Sequence, residues 1–272
     1  MDAASRFRTS AKKIWLLRKA YDLFNGIASW KKVGDELRKT AFKLHGGTSW
    51  DQDYRCEELA KCLSVSASFE SSDISDHLSN IFYHAMESTP RLIVELGVRG
   101  GQSTLALLAA AQLCGAKMLS VDIDDCASLS LSARYSSWHF EQCDDIEFGS
   151  NRFESWCRAN ELLPQVDVLF IDTSHRFEHT LSEIEVWTKY LSGNGVMIFH
   201  DSNMGEGLYG RMDGSVGIGW DNSRGVIRAI EEYLSASYDE KTFFVEIRNG
   251  YLIRHYPNCN GLTVLRRTRH NA

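Results

Sequence analysis

None of the seven cysteines (Cys56, Cys62, Cys114, Cys126, Cys143, Cys157 and Cys259) stands in C-x-x-C spacing, and their number is odd. A zinc ribbon or a disulfide framework is therefore not expected, and they read as reduced cytosolic thiols. No apolar run approaches the ~20 residues of a membrane span. The first residues are polar and charged rather than an apolar signal stretch, so a soluble, cytoplasmic protein is expected. A G-x-x-x-x-G-K-[ST] phosphate loop is missing, which lowers nucleoside triphosphates in rank. Internal repeats and low-complexity tracts are absent. With a net charge of −6 and no recognised binding motif, nucleic acid is not an expected partner.

What is present is a globular composition, 43% hydrophobic and 24% charged over 272 residues. That length suits one large domain, or a core of roughly 180 residues with an appendage. Residues 1–43 carry eleven Lys/Arg against four Asp/Glu, so the remainder is strongly acidic. Ile14, Leu17, Tyr21 and Phe24, then Val33, Leu37, Ala41 and Leu44, recur at helical spacing on this basic background. They predict a pair of basic amphipathic helices that cap the core or a second subunit; a membrane surface, an acidic partner or an organellar leader are the alternatives. Residues 1–90 are accordingly read as a helical cap or oligomerisation region and 91–272 as the catalytic domain, with a homo-oligomer expected.

Short apolar runs at Arg91–Leu96, Met118–Ile123, His139–Cys143, Val166–Ile171 and Val196–His200 alternate with helix-length spacers, Ser103–Leu113, Gly149–Asn160 and His179–Leu191. Such alternation predicts an α/β fold with a mostly parallel sheet covered on both faces. Seven glycines between 203 and 225 predict an irregular mobile loop, a candidate lid. Val226–Leu234 reads as a helix, and Phe243–Arg248, Tyr251–His255 and Leu262–Leu265 as β-like runs, two of them a terminal antiparallel pair.

In such a sheet the ligand lies beyond the carboxyl ends of the strands. The polar residues there are Glu95 and Gly97, then Asp122 and Asp124, Asp144 and Asp145, Asp172 and His175, and His200 and Asp201. The first turn, Glu95-Leu-Gly97-Val-Arg-Gly100-Gly101, opens a helix at Gln102-Ser103. Its glycines let a small molecule approach the backbone, and the free amides of the helix start favour a polar or anionic group. Its order, G-x-x-G-G, is not the G-x-G-x-x-G of a dinucleotide turn, so nicotinamide cofactors fall in rank.

This acid-x-G-x-x-G-G turn, followed about 25 residues later by a strand ending in Asp122, resembles the class I S-adenosylmethionine-dependent methyltransferases over roughly residues 91–266. The resemblance implies a Rossmann-like, mostly parallel seven-stranded sheet. It implies S-adenosyl-L-methionine held by Glu95, Gly97, Gly101 and Ser103 at the turn, Asp122 on the ribose, and Asp144 near the adenine, with Asp145 as its alternate. A carboxylate can accept from two vicinal hydroxyls, and a cationic sulfonium benefits from acidic surroundings.

A narrower likeness lies in Asp172-Thr-Ser-His175 and the later His200-Asp201. It is similar to the branch of macrolide-sugar O-methyltransferases and cephalosporin hydroxylase-like proteins, which implies natural-product biosynthesis and Mg²⁺ or another divalent metal on Asp172, Asp201 and His200. His200 stands where that branch often has an acid, which leaves it open between a ligand, a group behind the ligands and a core histidine. His175 is the expected general base, catalytic together with Asp172, on a small hydroxylated acceptor, a sugar or secondary metabolite. A non-catalytic cofactor- or partner-binding protein on the same fold is the alternative. Glu178 and His179 stay outside the site on this reading. Phe177, Trp187 and Tyr190 are expected in the core, and Tyr209 and Trp220 against the acceptor.

Overall fold

The computed structural model describes residues 72–126, 135–205, 207–211 and 214–268. The two basic helices expected between residues 14 and 44 lie outside the described residues. Nearly all described residues belong to one compact unit, residues 56–211 with 216–272; the other unit, Met1–Arg55 with Met212–Ser215, falls almost wholly outside them.

A 3-10 turn, Ser75–His77, leads into α1, Leu78–Glu87. Then follow β1 (Leu92–Leu96), α2 (Gln102–Cys114), β2 (Lys117–Asp122) and β3 (Trp138–Gln142). Next come α3 (Asp145–Glu147), a π-helical stretch Phe148–Arg152, α4 (Phe153–Ala159), β4 (Val166–Ile171) and α5 (Phe177–Thr188). The remainder is β5 (Leu191–His200), β6 (Leu208–Gly210), β7 (Val216–Ile218), α6 (Gly225–Leu234), β8 (Phe244–Arg248), β9 (Tyr251–Tyr256) and β10 (Leu262–Arg267).

The main sheet runs β3-β2-β1-β4-β5-β10-β9-β8. Its first five strands are parallel, and β10, β9 and β8 join antiparallel. The sheet thus has eight strands rather than the seven expected, because all three C-terminal runs pair and Phe244–Arg248 adds an edge strand. Two further expectations are corrected. The fifth strand, expected from Val196, begins at Leu191, and its pairing with β4 shifts register between Val166 and Val168. The glycine-rich segment is not wholly irregular: β6 and β7 form an antiparallel hairpin within it.

Side-chain alternation along the buried strands builds a core on each face of the sheet. Val94, Leu119, Leu169 and Phe199 pack with Phe148, Phe153, Trp187 and Ile230 on one side. Ile93, Met118, Phe170 and Ile198 pack with Leu78, Ile81, Leu107 and Leu108 on the other. Trp187 and Tyr190 are core residues, as their spacing predicted. The described cysteines, Cys114, Cys126, Cys143, Cys157 and Cys259, are all free thiols. No helix among the described residues is long and apolar enough to cross a membrane.

Candidate active site

Strand order reverses between β1 and β4, so their carboxyl ends open a crevice. Gly97 sits at its floor: its N–H donates to Val121 O (2.9 Å), and the Asp172 N–H donates to Leu96 O (2.9 Å). A Cβ on Gly97 would stand 2.1 Å from the Asp172 carbonyl oxygen, and its φ is +87°. This glycine is therefore required by the neighbouring strand as well as by the turn. Gly101, φ +76°, caps α2 in the left-handed region, while a side chain on Gly100 would meet nothing within 4 Å.

Asp122 Oδ2 accepts from the N–H groups of Val98 (2.7 Å) and Arg99 (3.2 Å), and its Oδ1 from Asp124 N–H (2.9 Å). The acid ending β2 thus lies directly against the glycine turn. Asp144 caps α3 by accepting from Glu147 N–H (2.8 Å) and is otherwise exposed.

Glu95 is different. It is 0% exposed and accepts from Ser103 Oγ (2.8 Å), Thr104 Oγ1 (2.9 and 3.1 Å) and Ser120 Oγ (2.6 Å). Trp138 Nε1 donates in turn to Ser120 Oγ (2.9 Å). Burial pushes the Glu95 carboxyl up to about 7, against the pull of those hydroxyls. Glu95 and Ser103, both expected at the cofactor, spend these contacts fastening β1 to α2 and β2.

Across the crevice, His175 Nε2 lies 3.0 Å from both Asp172 Oδ1 and Asp201 Oδ2. His200 Nδ1 lies 3.1 Å from Asp172 Oδ1 and 3.3 Å from Asp201 Oδ1. Both His175 (φ 57°) and Asp201 (φ 55°) hold left-handed backbone, a strain that the surrounding packing must offset. Burial opposes charge on each imidazole, yet hydrogen bonds and charges of the two acids push His175 up to about 10 and His200 up to about 9. Burial would raise Asp172, but the two histidines hold it below the usual carboxylate range.

Asp172, His175 and Asp201 each offer a ligand atom within 4.8 Å of the others, a donor set that fits a divalent cation. His200 stands behind them, with Nε2 against the carbonyls of Cys259 (3.2 Å) and Asp73 (3.3 Å).

Trp220, 49% exposed, holds its ring 5.6 Å from that of His175. Tyr209 is instead packed inside the hairpin: its OH accepts from Arg211 (3.1 Å), and Gly217 lies against its ring. The chain does contain Gly205-x-Gly207-x-x-Gly210, but Leu208–Gly210 is a hairpin strand and no helix follows it. The strand-to-helix context of a dinucleotide turn is absent there.

Fold and site together define a Rossmann-like α/β domain with a glycine turn at the switch point. Residues 94–202 match the family described as a methyltransferase domain. Over this stretch, less than half of its length, the chain resembles the class I S-adenosylmethionine-dependent methyltransferases. No curated protein matches it. Among solved structures it is similar to cofactor-bound Rv0187 from MTB, at 12% identity and TM-score 0.50 over 86% of this chain and 97% of that one. An O-methyltransferase from Bacillus cereus in complex with SAH aligns at 15% identity and TM-score 0.46, over 78% and 91%. MycE of the mycinamycin biosynthetic pathway, in complex with Mg, SAH and mycinamycin VI, aligns at 15% and TM-score 0.45, over 73% and 49%.

Proposed function

We propose that this methyltransferase acts on a hydroxyl of a sugar or secondary metabolite, with S-adenosyl-L-methionine held by the Gly97–Gly101 turn, Asp122 and Asp144, and with the Asp172/His175/Asp201 cluster handling the acceptor. One observation carries the reading: Gly97 touches the backbone of Asp172, so a methyl donor on the turn and an acceptor oxygen on the cluster share one crevice. The transfer forms an oxygen–carbon bond, breaks the sulfonium–carbon bond and sends the hydroxyl proton to a base.

His175 is placed to hold that proton at Nε2, but its two carboxylate partners keep it charged near neutral pH. Asp172 and Asp201 would hold a divalent cation, which would supply charge that makes the acceptor hydroxyl more acidic. With those carboxylates engaged by a cation, less negative charge would face His175, which would favour its neutral, proton-accepting form. Asp172 acts by holding His175 and His200. Trp220 offers an aromatic face beside His175, and Leu208 and Ile218 add exposed apolar surface on the hairpin.

Calorimetric titration with S-adenosylmethionine, with and without Mg²⁺ and with NAD as control, tests the cofactor. Selective binding is expected; no binding under any condition would sink the proposal. Asp122→Ala should weaken binding by tenfold or more. His175→Ala should leave it within about threefold while slowing transfer to a panel of nucleotide sugars and hydroxylated aglycones by 10²–10⁴-fold. Equal loss of cofactor in both variants would show the division of roles to be wrong.

A further inference from the structure

A second group of ligating side chains lies one residue beyond the Asp172 cluster. Thr173 Oγ1 donates to Glu183 Oε1 (2.7 Å) on α5. Four residues earlier on the same helix face, His179 places Nε2 3.6 Å from Glu183 Oε1 and 3.3 Å from Asp145 Oδ1, at the start of α3. One ligand atom from each of the three lies within 4.8 Å of the others.

Glu183 is 0% and Asp145 5% exposed; among the described residues no donor group serves Glu183 Oε2 or Asp145 Oδ2, and the two carboxyl groups lie within hydrogen-bonding reach of each other. Two buried carboxylates against one imidazole leave negative charge that a buried site does not tolerate without a proton or a cation. The 3.3 and 3.6 Å separations are long for hydrogen bonds. They match instead the edge, about 3.4 Å, of a tetrahedron whose corners lie ~2.1 Å from a central ion.

We propose that Asp145, His179 and Glu183 form a second divalent-cation site, separate from Asp172 and Asp201, that clamps the loop after β3 to helix α5. One imidazole with two carboxylates favours a transition ion such as Zn²⁺ over Mg²⁺. His179, which is partly exposed, marks the way in. Through Thr173 the clamp also steadies the loop that carries Asp172 and His175.

The test titrates the chelator-stripped full chain with Zn²⁺ alone and with Co²⁺ alone, in wild type, Asp172→Asn, Glu183→Gln and His179→Ala. Asp172→Asn should keep a tight Zn²⁺ event and intense Co²⁺ visible bands of tetrahedral type. Glu183→Gln and His179→Ala should each weaken that event by 10–100-fold. His179→Ala removes a partly exposed ring, so it carries the test if Glu183→Gln fails to fold. No Zn²⁺ uptake in Asp172→Asn, or uptake in His179→Ala equal to wild type, overturns the proposal.

Discussion

Glu95 shows at the scale of one residue how an acid at a strand end can serve the scaffold. Its folded value of about 7 lies above the ordinary 4.5, so folding favours its protonated form. That contribution is fully present below about pH 4.5 and is lost as pH rises through 7. The difference is worth up to about 3 kcal/mol. In the cofactor-free protein, Glu95→Gln should therefore gain stability relative to wild type between pH 5 and pH 8, read by urea unfolding. An unchanged difference at the two pH values would contradict the burial argument. The sequence shows an acid before a glycine turn and nothing more, because the three hydroxyls that engage it come from α2 and β2. Only the fold brings Ser103, Thr104 and Ser120 to it. By the same logic Asp145 reads in the chain as an alternate to Asp144 at the adenine and His179 as a residue outside the site, because only the fold brings both to Glu183.

Elements carry a different kind of constraint. A methyl group at Gly97 meets the Asp172 carbonyl at 2.1 Å and also requires φ near +87°, so Gly97→Ala should cost roughly 2–4 kcal/mol and slow transfer. Gly100→Ala, with nothing within 4 Å, should stay within about 0.5 kcal/mol of wild type by thermal denaturation. Equal effects would contradict the close approach of β1 and β4. The parallel strands were legible because a strand buried on both faces is a continuous apolar run. The hairpin was not: β6 and β7 are three residues each, too short for an alternating pattern, and the Tyr209 ring against Gly217 organises them. The π-helical stretch was equally silent, since Gly149 is there to clear Val186 and Trp187 on another helix.

Across the whole described unit, α1 is tied to the antiparallel end of the sheet. His77 Nε2 meets Asn258 O at 2.5 Å, His84 Nε2 meets the Tyr256 hydroxyl at 3.0 Å, and Arg266 donates to His84 O at 2.8 Å. Burial, with the His200 charge adding to it, pushes His77 down to about 3 from 6.5. Folding favours the neutral ring, so this stability is present above pH 6.5 and is lost as pH falls toward 3, by as much as about 5 kcal/mol. His77→Gln should flatten the acid limb of the stability curve and Glu95→Gln the alkaline limb, each measured by denaturant titration across pH. A common effect of the two on the same limb would refute the assignment. The fold class was legible from β/α alternation alone, and the eighth strand is a local antiparallel partner of β9, whereas the docking of α1 depends on contacts between residues more than 150 apart.

The segment between Met204 and Asn222 is closed at its neck: Asn222 N–H donates to Met204 O (3.0 Å), and Asn222 Nδ2 to Asp201 O (3.2 Å). The first residue of α6 presses on the His175 loop, for a Cβ on Gly225 would stand 2.3 Å from His175 O. The His175 loop is thus braced by the start of α6. On the proposed function, insertions, deletions or grafts between the two neck residues should change acceptor choice while α6 still holds the His175 loop, which makes this stretch the place where divergence, natural or engineered, meets least resistance.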